Sequence, residues 1–282
     1  MNPPFRRTDA GPAASVGVTR SPFAADPIAN KLVPGSPAVE LPQCSKAGVL
    51  AVWAAAALPM GVLAWVIAPA VAGHAPSEKH FAVTLLAALT FGLIWQAALV
   101  LMLVLRENRN SPSMPLCDRL WLRAPATATR RGGRLWWWVG AYAIGLAAVN
   151  LIAFGPTGPI DRNFGLFLQS AAGKATFHHA WGLYALVAVL LAFNTFLGEE
   201  MLFRGFLLPR MRSAFGRADW VVNGILFGCY HLHEPWVIPN AILTGFLCAY
   251  STRRYRSAWM GIAIHSIESL FILAVLFPLV AG

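Results

Sequence analysis

Glu199, Glu200 and Arg204 lie inside one of the most apolar stretches of the chain, Phe196-Leu197-Gly198-Glu199-Glu200-Met201-Leu202-Phe203-Arg204-Gly205-Phe206-Leu207-Leu208. A charged side chain at membrane depth costs about 2.5–3.5 kcal/mol even on lenient insertion scales, so such groups are kept where they pair, face water or do chemistry. Glu200 and Arg204 stand at i, i+4 and share a helix face, with the acid on the favourable amino-terminal side. Glu199 lies about 100° away around the helix and needs another partner. Two later apolar segments carry histidines. One reads Phe227-x-x-x-His231, with Asn223 extending the same stripe; the other reads His265-x-x-x-Ser269, with Glu268 just before the serine.

A carboxylate beside an imidazole can take a proton from water when both are tuned to the working pH. Glu199 is the candidate base, because Glu200 is consumed by Arg204. His231 would share or orient the attacking water, and His265 with the Ser269 hydroxyl would donate hydrogen bonds to a developing oxyanion. These parts suffice for peptide-bond hydrolysis without a covalent intermediate. A metal alternative stays open: Glu199, His231 and His265 form a two-histidine, one-carboxylate ligand set. The H-E-x-x-H signature is absent, however, and His231-Leu232-His233-Glu234 has the wrong order for it.

The elements that must position these groups are membrane helices. The chain is 57% hydrophobic and 12% charged, against roughly 25% charged in a soluble domain, and its mean hydropathy is +0.57. The net charge of +10 comes mainly from 18 arginines set between apolar runs. No basic face with interleaved aromatics accompanies them, which argues against nucleic acid. The four cysteines (Cys44, Cys117, Cys229, Cys248) show neither a C-x-x-C pair nor a disulfide-like spacing.

Residues 1–45 hold eight of the twenty prolines and no apolar run, and read as a disordered cytoplasmic tail. Seven apolar segments follow, at about 47–72, 81–105, 135–155, 178–208, 219–232, 237–251 and 258–280. A crossing helix needs about 20 residues; the fifth and sixth fall short, and Pro235 and Pro239 make them a bent or re-entrant hairpin. The arginine clusters at 106–134, 210–217 and 253–256 place the amino terminus in the cytoplasm and the carboxyl terminus outside. The expected fold is all-α: a polytopic transmembrane bundle of about seven spans with room for an extra re-entrant element, in the cell membrane. At 1.5 Å per residue, Glu199, His231 and His265 lie roughly 13, 18 and 12 Å from the cytoplasmic end. Three helices thus bring their ionisable groups to one layer.

The ordered set Glu-Glu-x-x-x-Arg at 199–204, Phe-x-x-x-His at 227–231 and His-x-x-x-polar at 265–269 resembles the CPBP family of CAAX-protease-like and bacteriocin-processing (Abi) intramembrane proteases. The resemblance covers roughly the last third of the chain. It implies a glutamate-dependent membrane endopeptidase with Glu199 as the catalytic glutamate, and with His231 and His265 as the water-activating and oxyanion histidines. Glu200 and Arg204 match the accompanying acid and arginine. The family's last motif ends in Asn or Asp; this chain has Ser269, a shorter donor. The chain divides into a tail (1–45), amino-terminal helices with a basic cytoplasmic loop (46–177) and a protease core (178–282). The expected partners are a peptide or protein substrate, including membrane-associated ones, and the lipid bilayer; no cofactor is called for. The competing reading is a non-enzymatic membrane protein, a proton-coupled transporter or an interaction scaffold. Transporters often show paired broken helices in two halves. Here the polar groups crowd into the last 90 or so residues, and the first three segments offer only Gln96 and Asn150.

Overall fold

The structure is a computed structural model describing residues 41–74, 76–110, 114–152 and 157–282. Most of the expected tail, residues 1–40, and the end of the third apolar segment lie outside the described residues. Within them the regular secondary structure is helical, with an isolated β-bridge between Ala126 and Arg131. Seven helices of 12 residues or more match the seven apolar segments in order. They are α1 (Lys46–Ala72), α2 (Glu78–Asn110), α3 (Trp137–Leu151), α4 (Trp181–Arg210), α5 (Asp219–Tyr230), α6 (Ile238–Tyr255) and α7 (Ala258–Ala281).

By length and composition, four of them (α1, α2, α4 and α7) can cross a membrane. The other three have 15, 12 and 18 residues. At 1.5 Å per residue the 12 residues of α5 reach only about 18 Å, and α6 ends in Arg253 and Arg254. The expected seven spans therefore resolve into four long helices and three shorter ones packed among them.

Six helices form a ring in the contact order α1–α2–α4–α7–α6–α5 and back to α1, and α3 lies outside in the groove between α6 and α7. The largest core cluster fills the space between α1, α2, α4 and α5, with Val49, Met60, Leu93, Val100, Leu202, Phe203, Phe227 and Tyr230 among its members. Large apolar side chains on the outer faces, such as Val66, Phe91, Ile144, Val189 and Phe271, are exposed, as lipid-facing positions should be. Indoles tie the ring across helices: Trp53 Nε1 donates to Leu226 O, Trp65 Nε1 to Leu232 O and Trp95 Nε1 to Ala55 O, each at 2.8 Å. Trp236 is buried edge-on against Trp65.

Arginines at the basic end are structural as well as topological. Arg210 is fully buried. It holds Glu107 of α2 in a bidentate pair at 2.7 and 2.6 Å and donates to the carbonyls of Phe206 and Arg119. Arg253 of α6 bonds Asp219 at the start of α5 at 2.8 Å.

The tightest packing is between α5 and α6. A Cβ on Gly224 would fall 2.9 Å from the carbonyl carbon of Gly245, and one on Gly228 would fall 2.7 Å from the backbone nitrogen of Ile242. Small residues four apart let two backbones approach where hydrocarbon supplies no hydrophobic drive. Gly228→Leu is expected to destabilise the detergent-solubilised protein by at least the about 1–3 kcal/mol of ordinary overpacking, since the obstructing atoms include the Ile242 backbone as well as its side chain. Gly140→Ala in α3, with no neighbour within 4 Å of the new methyl, should stay within about 1 kcal/mol of the parent. Thermal unfolding of both variants side by side checks the contrast.

Candidate active site

Glu199, Glu200 and Arg204 sit in a π-helical stretch of α4, Asn194–Leu207, of 14 residues. π-helical winding replaces i→i+4 bonds with i→i+5 ones and is frequent at functional sites. It re-aims consecutive side chains relative to an α-helix, so the angle between Glu199 and Glu200 is not that of the α-helical expectation. Neighbouring helices satisfy this stretch from the side. Asn223 Nδ2 of α5 donates to Phe203 O at 2.9 Å, and Arg204 Nη2 reaches Gly245 O of α6 at 3.3 Å.

Glu200 and Arg204 are fully buried and pair at 2.9 Å through Oε1 and Nη1. The same Oε1 accepts from His265 Nδ1 at 3.0 Å; a carboxylate can only accept, so Nδ1 carries a proton. The i, i+4 spacing marks the pair in the sequence, whereas its third member comes from another helix. Room for it depends on Gly261 of α7, where a Cβ would come within 2.5 Å of Glu200 Oε2 and 3.0 Å of Arg204 Cγ.

Glu199 is nearly buried and lies between the two histidines. Its Oε1 is 3.9 Å from His231 Nε2 and its Oε2 is 3.6 Å from His265 Nε2. The three groups expected in one layer are therefore together. His231 is not on the helix but just past its end, with φ −73° and ψ 44°. Its Nδ1 donates to Phe227 O at 3.0 Å, which in the neutral ring leaves Nε2 as the acceptor facing Glu199. A separation of 3.9 Å is too long for a direct hydrogen bond and leaves both groups within reach of a single water.

Phe227 carries more of the site than its place in the motif suggests. Its ring meets those of His231 and His265 edge-on, at centroid distances of 5.1 and 5.7 Å. The Arg204 guanidinium lies 4.1 Å above its centre. The Phe-x-x-x-His spacing is the signal for this role, because the i→i+4 carbonyl fixes the imidazole.

Ser269 is elsewhere: its hydroxyl pairs with Thr195 of α4 at 2.8 Å. The carboxylate facing His265 from the last motif is Glu268, whose Oε2 is 3.6 Å from His265 Nε2. Its Oε1 accepts from Asn150 Nδ2 of α3 at 3.1 Å and from Thr244 Oγ1 of α6 at 3.2 Å. Gln96, a conspicuous polar residue of α2, donates to the Tyr230 hydroxyl at 2.5 Å, next to His231 in the chain. As for the metal alternative, no group of three His, Cys, Asp or Glu among the described residues has the geometry to hold an ion.

Residues 180–271 match the family model of the Rce1-like proteins, type II CAAX prenyl endopeptidases. That segment runs from the start of α4 into α7 and contains Glu199, His231 and His265. It makes up roughly a third of the chain and agrees with the resemblance to CAAX-protease-like proteins. With the long apolar helices, the match indicates a membrane protease in general terms. No curated protein and no solved structure matches the chain.

Removing one partner of a buried ion pair costs about 3–5 kcal/mol, because the other charge is left unpaired. Arg204→Met should therefore cost stability of that order, and the double variant Glu200→Gln/Arg204→Met should recover a large part of it. Chemical or thermal unfolding of the three proteins in detergent measures the difference.

Proposed function

We propose that the chain is an integral membrane endopeptidase that hydrolyses a peptide bond using Glu199 and His231 to activate water. The observation that carries this reading is the placement of the Glu199 carboxylate opposite His231 Nε2, with Nδ1 committed to Phe227 O. A water held between Glu199 and His231 attacks the scissile carbonyl carbon, and its proton passes to this base pair. His265 acts as the imidazolium, with Nδ1–H held by Glu200, and its Nε2–H donates to the carbonyl oxygen as negative charge develops there. Collapse of the tetrahedral intermediate breaks the C–N bond, and the proton held on Glu199 and His231 goes to the leaving amine. Atoms and charge balance without a covalent enzyme intermediate or an added reagent.

The basic end, with Arg210, Arg212, Arg217, Arg253, Arg254 and Arg256, is read as cytoplasmic. All seven helices then traverse or enter the membrane, and α5 and α6 form a hairpin whose tip lies near the depth of the site. Helices that stop inside the hydrocarbon are tolerated where they line a cavity, which supports a hydrated chamber at His231, opening to the cytoplasm. The family description makes a prenylated CAAX peptide the first substrate to try.

Purified protein and its Glu199→Gln variant should be compared on a quenched fluorescent prenylated CAAX peptide. The variant is expected to lose at least about 100-fold in kcat/KM, the lower range for a general base, with an unchanged unfolding temperature. His231→Gln should lose a comparable amount. Undiminished cleavage by a folded Glu199→Gln protein would sink the assignment.

A further inference from the structure

Glu268 borders the candidate site but has no part in the hydrolytic scheme. Its carboxylate is anchored on one side and aimed on the other. Oε1 accepts from Asn150 Nδ2 and Thr244 Oγ1, and Asn150 Oδ1 in turn accepts from Asn240 Nδ2 at 3.0 Å. Two donors on one oxygen remove the carboxylate's freedom to rotate and leave Oε2 facing His265 Nε2 at 3.6 Å. The opposite ring nitrogen is already bonded to Glu200 Oε1 at 3.0 Å. His265 is thus hydrogen-bonded to Glu200 of α4 at one end of its ring and faces, at ion-pair distance, a Glu268 carboxylate anchored by α3 and α6 at the other. Glu199 Oε2 faces the same Nε2 at 3.6 Å. Ser269, the next residue, is occupied by Thr195, so the last motif addresses the imidazole through Glu268.

An oxyanion donor is effective when it is oriented beforehand, so that no reorganisation accompanies charge development. Partners one shell out orient imidazoles in this way in metal sites, where they fix tautomer and ring plane. The same physics applies to a donor imidazole. Resting on the reading of His265 as that donor, we infer that Glu268 is a positioning residue for His265. Asn150 and Thr244 lock it in place, which makes α3 a functional part of the site although it lies outside the segment matched to the protease family.

The test uses the full-length protein in detergent micelles, with ¹⁵N-labelled histidine and with the prenylated CAAX peptide as kinetic probe. The His265 ring signals are assigned by their loss in His265→Phe. Glu268→Gln keeps the side chain's size but turns an N–H₂ towards the ring. It should move the His265 Nε2 resonance and lower kcat about tenfold, well within what a misoriented group costs, with KM within about twofold. Asn150→Ala, which reaches the ring through Glu268, should move the same resonance in the same direction by less. The double variant should match Glu268→Gln, because the two act in series.

An Asn150→Ala protein with an unmoved His265 resonance overturns the proposal, and so does a Glu268→Gln protein with full kcat or losses that add in the double variant. Failure of the hydrolytic reading shows differently, as full activity in Glu199→Gln. The spectroscopic comparison can be read whether or not the peptide is cleaved.

Discussion

Glu200 Oε1 pairs with the Arg204 guanidinium at 2.9 Å and accepts a hydrogen bond from His265 at 3.0 Å, in a fully buried position. A charge removed from solvent is tolerable only when an opposite charge lies close to it. That requirement binds the helices together. Arg204 also reaches Gly245 O on α6 and lies over Phe227 on α5, while His265 comes from α7. One ion pair inside α4 therefore sets the positions of three other helices relative to it. Gly261 is part of the same constraint, because a methyl group there would take the space of Glu200 Oε2.

The distances around Glu199 follow from this constraint. Once His265 is pinned to Glu200, its other nitrogen is turned towards Glu199 and Glu268, 3.6 Å from each. The α5–α6 hairpin brings in the second histidine. Gly224, Gly228 and Gly245 let the two backbones approach. Because α5 ends at Tyr230, His231 adopts a non-helical ψ and bonds back to Phe227 O. A longer helix would carry that residue past the layer of the glutamates. The shortness of α5, which looks like a defect in a membrane span, is what lets its end meet the π-helical part of α4.

Much of this was legible in the sequence because ionisable groups in apolar helices are energetically conspicuous. Glu199, His231 and His265 could be assigned a common depth from residue counts alone, and they converge as that estimate requires. The Glu200–Arg204 pair was legible because it is local, four residues apart on one helix. Other features were not. The serine of the last motif turned to Thr195, while its neighbour Glu268 took the place facing His265. Asn150 looked like an isolated polar residue of an early segment until α3 packed beside α6 and α7. Four of the seven helices are long and apolar enough to cross a membrane; apolar composition identifies the other three as helices but not how far each extends.

The sequence by itself determined an all-helical membrane chain, the order of its helices, which of them carry ionisable groups, and at what distance along each axis. It also determined the Glu200–Arg204 pair internal to α4. The tertiary structure decided the rest: the π-helical winding of α4, the face of α7 turned inward, the nitrogen of each histidine that meets Glu199, and the recruitment of α3. Spacing along a chain fixes height and angle only within a single helix. The rotation and offset of one helix against the next are set by packing, here by glycine contacts and a shared carboxylate oxygen. Ser269 and Glu268 both lie one turn beyond His265 on α7; which of them faces the imidazole follows from the partners that Thr195, Asn150 and Thr244 supply from other helices, and no count of residues fixes those.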